Sequence, residues 1–244
     1  MWNSARVAVI VPAYREARLI GRMLRRVPAF VDSVVVVDDA SDDDTAEAAK
    51  AVGDPRVQVI RHAENRGVGA AIVTGYRHAA AAGADVLAVM AGDDQMDPDD
   101  LEAVIAPVVR GEADYVKGNR FAHPAARRMP LGRRLAGAVL SLATRLATGL
   151  AITDAQCGYT ALSARAAARL PLEALWPRYG YPNDLLGLLA SGGFRVREVP
   201  VRPVYADEAS GVRPWHALLV LYVIARRRLA ASNPRRATVL AGRR

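Results

Sequence analysis

Val86-Leu-Ala-Val-Met-Ala-Gly-Asp-Asp-Gln-Met-Asp-Pro98 is an apolar, strand-like run that empties into a knot of carboxylates. In an open α/β sheet, ligands bind in the crevice beyond the carboxyl ends of the strands. A strand that delivers Asp93, Asp94 and Asp97 to such an edge marks a place for a cation. Oxygen ligands favour a hard divalent ion, Mg²⁺ or Mn²⁺, of the kind that accompanies phosphates. A second acid-tipped strand lies upstream, Ser33-Val-Val-Val-Val-Asp38-Asp39. Two acidic strand ends in one N-terminal half point to a site for a nucleotide diphosphate.

Working outward from these two runs, strands and helices alternate. Val7 to Val11 is a short β-branched strand ended by Pro12, and Glu16 to Ala29 reads as a helix with Leu19, Met23, Leu24 and Val27 on one face. Ser41, with Asp44 three positions on, reads as the N-cap of a helix through Ala51, and Asp42 to Asp44 read as part of that cap. Val57 to Ile60 is a third strand, Gly69 to Ala82 a third helix, and a helix from about Pro98 to Val109 follows the Val86 strand. This alternation predicts an α/β fold with a mostly parallel central sheet and crossover helices. The pattern then changes. Tyr115 to Phe121 reads as a strand ending in a basic turn, Leu131 to Leu150 as a long amphipathic stretch, and Thr153 to Tyr159 as a polar turn. Short helices at Ser163–Leu170 and Asn183–Ser191 and a late strand at Arg195–Val201 complete the body.

The chain has 244 residues, of which 52% are hydrophobic and 24% charged, ample for one domain with a sizeable core. Its single cysteine, Cys157, excludes an internal disulfide and reads as buried packing. The net charge of +8 is uneven: acidic residues crowd Asp32 to Asp54 and Asp93 to Asp100, whereas arginines crowd the later half. A nucleic-acid module is disfavoured, because aromatic interleaving and a helix-turn-helix pattern are missing. A Rossmann dehydrogenase is disfavoured too, since no Gly-X-Gly-X-X-Gly follows the first strand. No apolar stretch reaches the roughly 18 to 20 residues that cross a bilayer. Trp215 to Ala225, closed by Arg226-Arg227-Arg228, has two readings: an interfacial helix, or a core helix followed by a solvated basic tail. Met1-Trp-Asn-Ser leads straight into a strand without the pattern of a signal peptide.

Seven segments, in order, carry a resemblance. They are Val11-Pro-Ala-Tyr-Arg-Glu16, Val37-Asp-Asp-Ala-Ser-Asp-Asp-Asp-Thr45, Asn65-Arg-Gly-Val-Gly-Ala-Ala71, Met90-Ala-Gly-Asp-Asp-Gln-Met-Asp-Pro98, Lys117-Gly-Asn-Arg120, Asp154-Ala-Gln-Cys-Gly-Tyr159, and Glu198-Val-Pro-Val201 with Glu208-Ala-Ser-Gly211. Together they resemble family 2 glycosyltransferases of the GT-A fold, in particular dolichyl- and polyprenyl-phosphate mannose or glucose synthases. The resemblance implies a Rossmann-like nucleotide-binding sandwich over residues 1–214, with a donor half to about 120 and an acceptor half from 121. Residues 215–244 would form an amphipathic helix and basic tail at a membrane interface.

It also implies roles. Pro12, Tyr14, Glu16, Asp39, Asn65, Gly69 and Gly92 would bind the donor. Tyr14 would stack on a base, its alternative reading being a loop aromatic over the sheet edge. Asp39 would hydrogen-bond the base, and backbone N–H groups near Gly67 and Gly69 would approach phosphate or sugar. Asp93 would be the direct metal ligand with Gln95 completing the site. The family pattern Asp-X-Asp is broken, because Ala91 replaces the first carboxylate, and Asp94 is a partial substitute whose side chain should point to the other face. Arg120, Arg133, Arg134 and Arg213 are the cations for an acceptor phosphate, since the planar guanidinium binds two oxygens at once.

An ionised lipid phosphate needs no general base, whereas a hydroxyl acceptor does; for the latter Asp154 is the candidate base. Asp93, Arg120 and Asp154 are therefore the expected catalytic residues. The expected activity is an inverting hexosyltransferase. It moves a sugar from GDP-mannose or UDP-glucose to polyprenyl phosphate with Mg²⁺ or Mn²⁺, in the cytoplasm, peripheral to the inner face of the cell membrane and its anionic surface. The rivals are a transferase to a saccharide hydroxyl and a weakened sugar-nucleotide binder. Oligomeric state is left open.

Overall fold

The computed structural model describes residues 1–204 and 215–231. The strands are β1 (Val7–Ala13), β2 (Ser33–Asp38), β3 (Val57–Arg61), β4 (Val86–Val89), β5 (Tyr115–Asn119), β6 (Thr160–Ser163) and β7 (Val196–Pro200). The helices are α1 (Ile20–Arg25), α2 (Thr45–Lys50), α3 (Val68–Ala81), α4 (Leu101–Val109), α5 (Leu131–Thr148), α6 (Ala164–Arg169), α7 (Tyr181–Ser191) and α8 (Trp215–Ala231). The seven strands form one sheet in the order β3-β2-β1-β4-β6-β5-β7. All pairs are parallel except those of β6, which runs antiparallel to both β4 and β5. The expected mostly parallel sandwich is therefore the observed one.

Alternation along each strand feeds two core layers, because successive side chains leave opposite faces of a pleated sheet. Val7, Val9, Val11, Val34 and Val36 pack under α1 and α4, with Met23, Leu24, Val104 and Ile105. Ala8, Ile10, Val35 and Val37 pack on the other face with Ile72 and Tyr76 of α3 and with Leu185, Leu186 and Leu189 of α7. Strands covered on both faces are what a continuous β-branched run requires.

The short strand β6 has no counterpart in the sequence reading, since Thr-Ala-Leu-Ser is only four residues long and carries no alternation. It matters for the site. Thr160 pairs with Val89 and with Lys117, so the polar turn that precedes β6 arrives at the edge where β4 and β5 end.

Two helix starts also differ from expectation. The helix expected from Glu16 begins at Ile20, because Arg15, Glu16 and Ala17 donate their backbone N–H groups to Ser41 Oγ, Thr45 Oγ1 and Asp43 instead. For the same reason Ser41 is not an N-cap: α2 begins at Thr45, and Asp44 in the cap position makes no side-chain cap bond. Asp42 is likewise spent on Arg15, in a two-pronged pair at 2.6 and 2.5 Å. The polar run 41–45 thus stitches the tips of β1 and β2 together.

The amphipathic stretch is the helix α5, ended by Gly149 in the left-handed conformation. On α8, Val220 and Ile224 pack on Leu140 of α5, and Arg227 forms a two-pronged pair with the buried Asp184 of α7 at 2.7 and 2.6 Å. One face of α8 is therefore core, while Leu218, Leu221, Tyr222 and Leu229 on it are exposed. The basic tail after residue 231 lies outside the described residues.

The α3–β1 contact is close enough to forbid a side chain at Gly75, where an added Cβ would sit 2.4 Å from Ile10 Cγ2. Gly75→Ala is expected to lower unfolding stability by about 1–3 kcal/mol through overpacking. Urea denaturation of the two proteins measures this.

Candidate active site

Strand tips build the site. Pro12, Tyr14, Glu16, Asp39, Gly92 and Asp93, with Val68 and Ala71 from α3, line a cleft of about 210 Å³ at the carboxyl ends of β1, β2 and β4. A second cleft of about 190 Å³ is lined by Asp93, Gln95, Met96, Arg120, Arg133, Tyr159 and Arg202. Asp93 belongs to both, so it is their common wall. Tyr14 is 41% exposed, at the mouth of the first cleft, with the Arg15 guanidinium 5.2 Å from its ring centre.

The non-glycine residues Arg15, Ala40 and Asp94 have φ of 60°, 59° and 56°, each just past the tip of one of these three strands. Such backbone costs on the order of 1–3 kcal/mol per residue and persists only where neighbours over-determine it. The neighbours here are the Arg15–Asp42 fork and two arginines on Asp94.

Those arginines decide the role of Asp94. Its carboxylate is buried and accepts from Arg22 Nε at 2.6 Å and Arg26 at 2.9 Å. It turns toward α1, so it does not replace the carboxylate lost at Ala91. Asp97 is shared in the same way between Arg26 at 3.6 Å and Arg202 at 3.2 Å. The Asp93 carboxylate, which accepts the Gln95 N–H at 3.1 Å, and the Gln95 side chain both line the second cleft and are the oxygen groups that could face a cation there. Among the described residues no group of three or more His, Cys, Asp or Glu is disposed to hold a metal. This sparse oxygen set fits Mg²⁺ or Mn²⁺, which take one or two carboxylates and draw their other ligands from phosphates and water. Asp93 and Gln95 are the residues that would hold it.

On the donor side, Asp38 and Asp39 diverge as adjacent strand residues must. Asp38 turns to Arg61 at 3.2 Å and to the Ser41 N–H at 3.0 Å. Asp39 faces the cleft and accepts from the N–H groups of Arg66 and Gly67 and from His62. The glycines expected to admit a ligand have a different physical reason. A Cβ on Gly69 would fall 2.4 Å from the Trp176 carbonyl oxygen, and one on Gly67 would fall 2.5 Å from that of Pro177. The Ala70 N–H donates to Pro177 O, so the start of α3 is occupied by the 176–178 loop. Asn65 is also engaged there, accepting from Arg178, and does not line the donor cleft.

On the acceptor side, Arg120 forks onto Asp154 at 2.8 and 2.9 Å, and its backbone N–H donates to the same carboxylate. Asp154 is fully buried. Burial alone would raise its pKa, but the Arg120 bonds and charge outweigh it and hold the carboxyl below its ordinary range. A buried, forked carboxylate is poorly disposed to take a proton from a hydroxyl. Glu198 of β7 accepts from the N–H groups of Thr153 and Asp154 at 2.9 and 2.8 Å, fixing the turn against the sheet. Lys117 is fully buried and donates to the Cys157 carbonyl. Burial lowers its pKa and raises that of the Cys157 thiol, consistent with an inert, packed cysteine. Gln156 donates to Asn183 at 3.0 Å.

Arg133 and Arg134 part company, as residues 100° apart on a helix do. Arg133 enters the cation-lined cleft, whereas Arg134 lines a groove of about 490 Å³ along α5 with Phe121, Leu131 and Leu135. Arg213 lies outside the described residues. Sequence reasoning missed Arg202 and Tyr159 as lining residues. The available signal was positional: Arg202 follows the tip of β7, which runs parallel to β5 and so ends beside Asn119 and Arg120.

The mostly parallel sheet, the cleft at its switch point and the antiparallel strand beside a second cleft define a GT-A-type nucleotide-binding fold. Residues 8–167 match the model of Glycosyl transferase family 2, and the chain belongs to that family. It is 30% identical over 217 residues to the UDP-N-acetylglucosamine–dolichyl-phosphate N-acetylglucosaminyltransferase of Methanococcus voltae, covering 82% of this chain and 86% of the relative. It is 34% identical over 205 residues to the undecaprenyl-phosphate mannosyltransferase of Micrococcus luteus, covering 80% and 82%. The structure of glucosyl-3-phosphoglycerate synthase from Mycobacterium tuberculosis in complex with UDP superposes with a TM-score of 0.70 at 21% identity, covering 92% of this chain and 80% of that one. That enzyme has also been crystallised with Mn²⁺ and with Mg²⁺.

Removing Arg120 leaves a buried carboxylate uncompensated, so Arg120→Ala is expected to cost about 3–5 kcal/mol. Adding Asp154→Ala recovers part of that loss, as a double-mutant cycle in urea would show. Because the folded Asp154 holds its proton more weakly than the unfolded chain does, its stabilisation is complete above about pH 4 and fades on further acidification. The stability gap between wild type and Asp154→Ala should therefore narrow below that pH.

Proposed function

We propose that this chain transfers a hexosyl or N-acetylhexosyl group from a nucleotide-diphosphate sugar to a polyprenyl phosphate, with inversion at the anomeric carbon. The observation that carries the reading is Asp93 standing between a cleft lined by donor-type residues and one lined by Arg120, Arg133 and Arg202. The second cleft offers cations, and its candidate base, Asp154, is buried in the Arg120 fork. That combination suits an acceptor already ionised rather than one that must be deprotonated. The acceptor phosphate oxygen attacks the anomeric carbon as the bond to the donor's diphosphate breaks, and the electron pair leaves with the nucleoside diphosphate.

The cleft arginines hold the acceptor phosphate, Asp154 and Glu198 keep Arg120 and its turn in place, and Asp39 orients the base. A divalent ion held by Asp93 and Gln95 would offset charge on the departing diphosphate. The lipid-phosphate acceptors in the names of the Methanococcus and Micrococcus relatives support the choice of acceptor.

A lipid acceptor needs a membrane-facing side. Leu131, Leu135, Val139, Leu142 and Leu146 of α5 are each more than half exposed, as are Leu218, Tyr222 and Leu229 of α8. No acidic residue occurs between 121 and 153 or between 215 and 231, while Arg134, Arg145, Arg226 and Arg228 lie on these helices. An apolar row flanked by arginines suits attachment to an anionic bilayer surface. Among the described residues no helix is long and apolar enough to cross a membrane. The chain would then act peripherally, at the cytoplasmic face of the cell membrane, with the exposed face of α8 as part of its membrane-facing side.

The decisive experiment supplies labelled UDP- and GDP-sugars with Mn²⁺ and polyprenyl phosphate and follows label into the organic phase. Wild type should give a lipid-linked product, and Asp93→Ala should reduce it at least about a hundredfold with an unchanged circular dichroism spectrum. Label appearing only on saccharide acceptors would overturn the reading. On phosphatidylglycerol vesicles, Leu135→Asp with Leu142→Asp should abolish flotation of the wild-type protein while leaving donor binding intact.

A further inference from the structure

We propose that the donor nucleotide carries uracil rather than guanine, and that His62 enforces the choice. The inference rests on the reading of the first cleft as a nucleotide-sugar site. Asp39 lines that cleft together with Glu16 and Asp93 and is 3% exposed. An ionised carboxylate has about four lone-pair positions for incoming hydrogens. Three are taken. Oδ1 accepts the Arg66 N–H at 2.9 Å and the Nδ1–H of His62 at 2.7 Å, and Oδ2 accepts the Gly67 N–H at 2.7 Å. One position remains, on Oδ2.

Uracil presents a single ring N–H, at N3, and one acceptor position satisfies it. Guanine presents N1–H and the N2 amino group side by side, and pairs a carboxylate through both oxygens. Here Oδ1 is already filled, so Asp39 can pair one guanine donor and leaves the other without its carboxylate partner. An unpaired buried donor loses its bond to water with nothing in return, which penalises the wrong base strongly.

His62 closes Oδ1 because the ring is itself fixed. It is buried, and its Nε2 lies 3.0 Å from Thr74 Oγ1 on α3. The backbone N–H groups of residues 66 and 67 belong to the loop entering α3 and cannot be withdrawn by a side-chain change. His62 is the one Asp39 partner that a substitution can remove. It acts through Asp39 and is a specificity-positioning residue.

Isothermal titration of the intact chain with UDP and with GDP, each in Mn²⁺, tests the proposal. Wild type should bind UDP at least about tenfold more tightly than GDP. His62→Ala should reopen Oδ1 and bring that ratio below about threefold, with Thr74→Val giving an intermediate ratio. Should His62→Ala fail to fold, Thr74→Val carries the test. GDP binding as tightly as UDP to wild type would overturn the proposal while leaving the transferase reading standing. An unchanged ratio in both variants would remove His62 from the explanation. Binding of neither nucleotide to wild type would overturn the inference together with the nucleotide-site reading beneath it.

Discussion

The parallel pairing of β1 with β2 on one side and β4 on the other is the constraint from which the rest follows. Ala13 lies opposite Asp38 and Ile10 opposite Val89, so three strands end at one edge. The backbone continuing from each tip must then turn within a few residues into a helix. The acidic ends of β2 and β4 face the same crevice only because these registers hold them there. A shift of one residue would send every side chain of the shifted strand to the opposite core layer and carry its acidic tip off the shared edge.

Most of the charge at that edge is spent on holding loops rather than on ligands. Asp42 fixes Arg15, Asp94 fixes α1 through Arg22 and Arg26, Asp97 ties the β4 loop to Arg202, and Asp154 fixes Arg120. Of the five aspartates between 93 and 100, Asp93 is the one that lines both clefts. The same economy explains how Ala91 is tolerated. A divalent ion held as proposed would take from a diphosphate and water the ligands that a second carboxylate would otherwise supply.

The acceptor side depends on a different device, the reversal of β6. Because that strand runs against its neighbours, the chain reaches the site edge just before it, and the Asp154–Tyr159 turn is placed beside the tips of β4 and β5. α5, which precedes that turn and follows β5, packs one face on α8 and α7 and presents the other outward. A cleft lined by arginines and an exposed apolar row thus share one helix, with Arg133 on the cleft side and Leu135 and Leu142 exposed.

Local sequence was enough for the alternating strands and helices, because runs such as Val34 to Val37 and the Pro12, Asp39 and Asp93 strand ends carry their own periodicity and termination. The ordered motifs likewise made the family legible. Which carboxylate is available to a ligand was not legible, since Asp39, Asp94 and Asp154 look alike as letters. Their partners His62, Arg22 and Arg120 lie 23, 72 and 34 residues away. Nor could spacing reveal β6, the divergence of Arg133 from Arg134, or the arrival of Arg202 beside Arg120. The sequence by itself determined most of the alternating strands and helices and the acidic ends of β2 and β4, because hydrophobic period and turn chemistry act over a few residues. The tertiary structure alone decided which of those polar ends are consumed as splints and which face a cleft, because hydrogen bonding and desolvation depend on neighbours that only folding brings together.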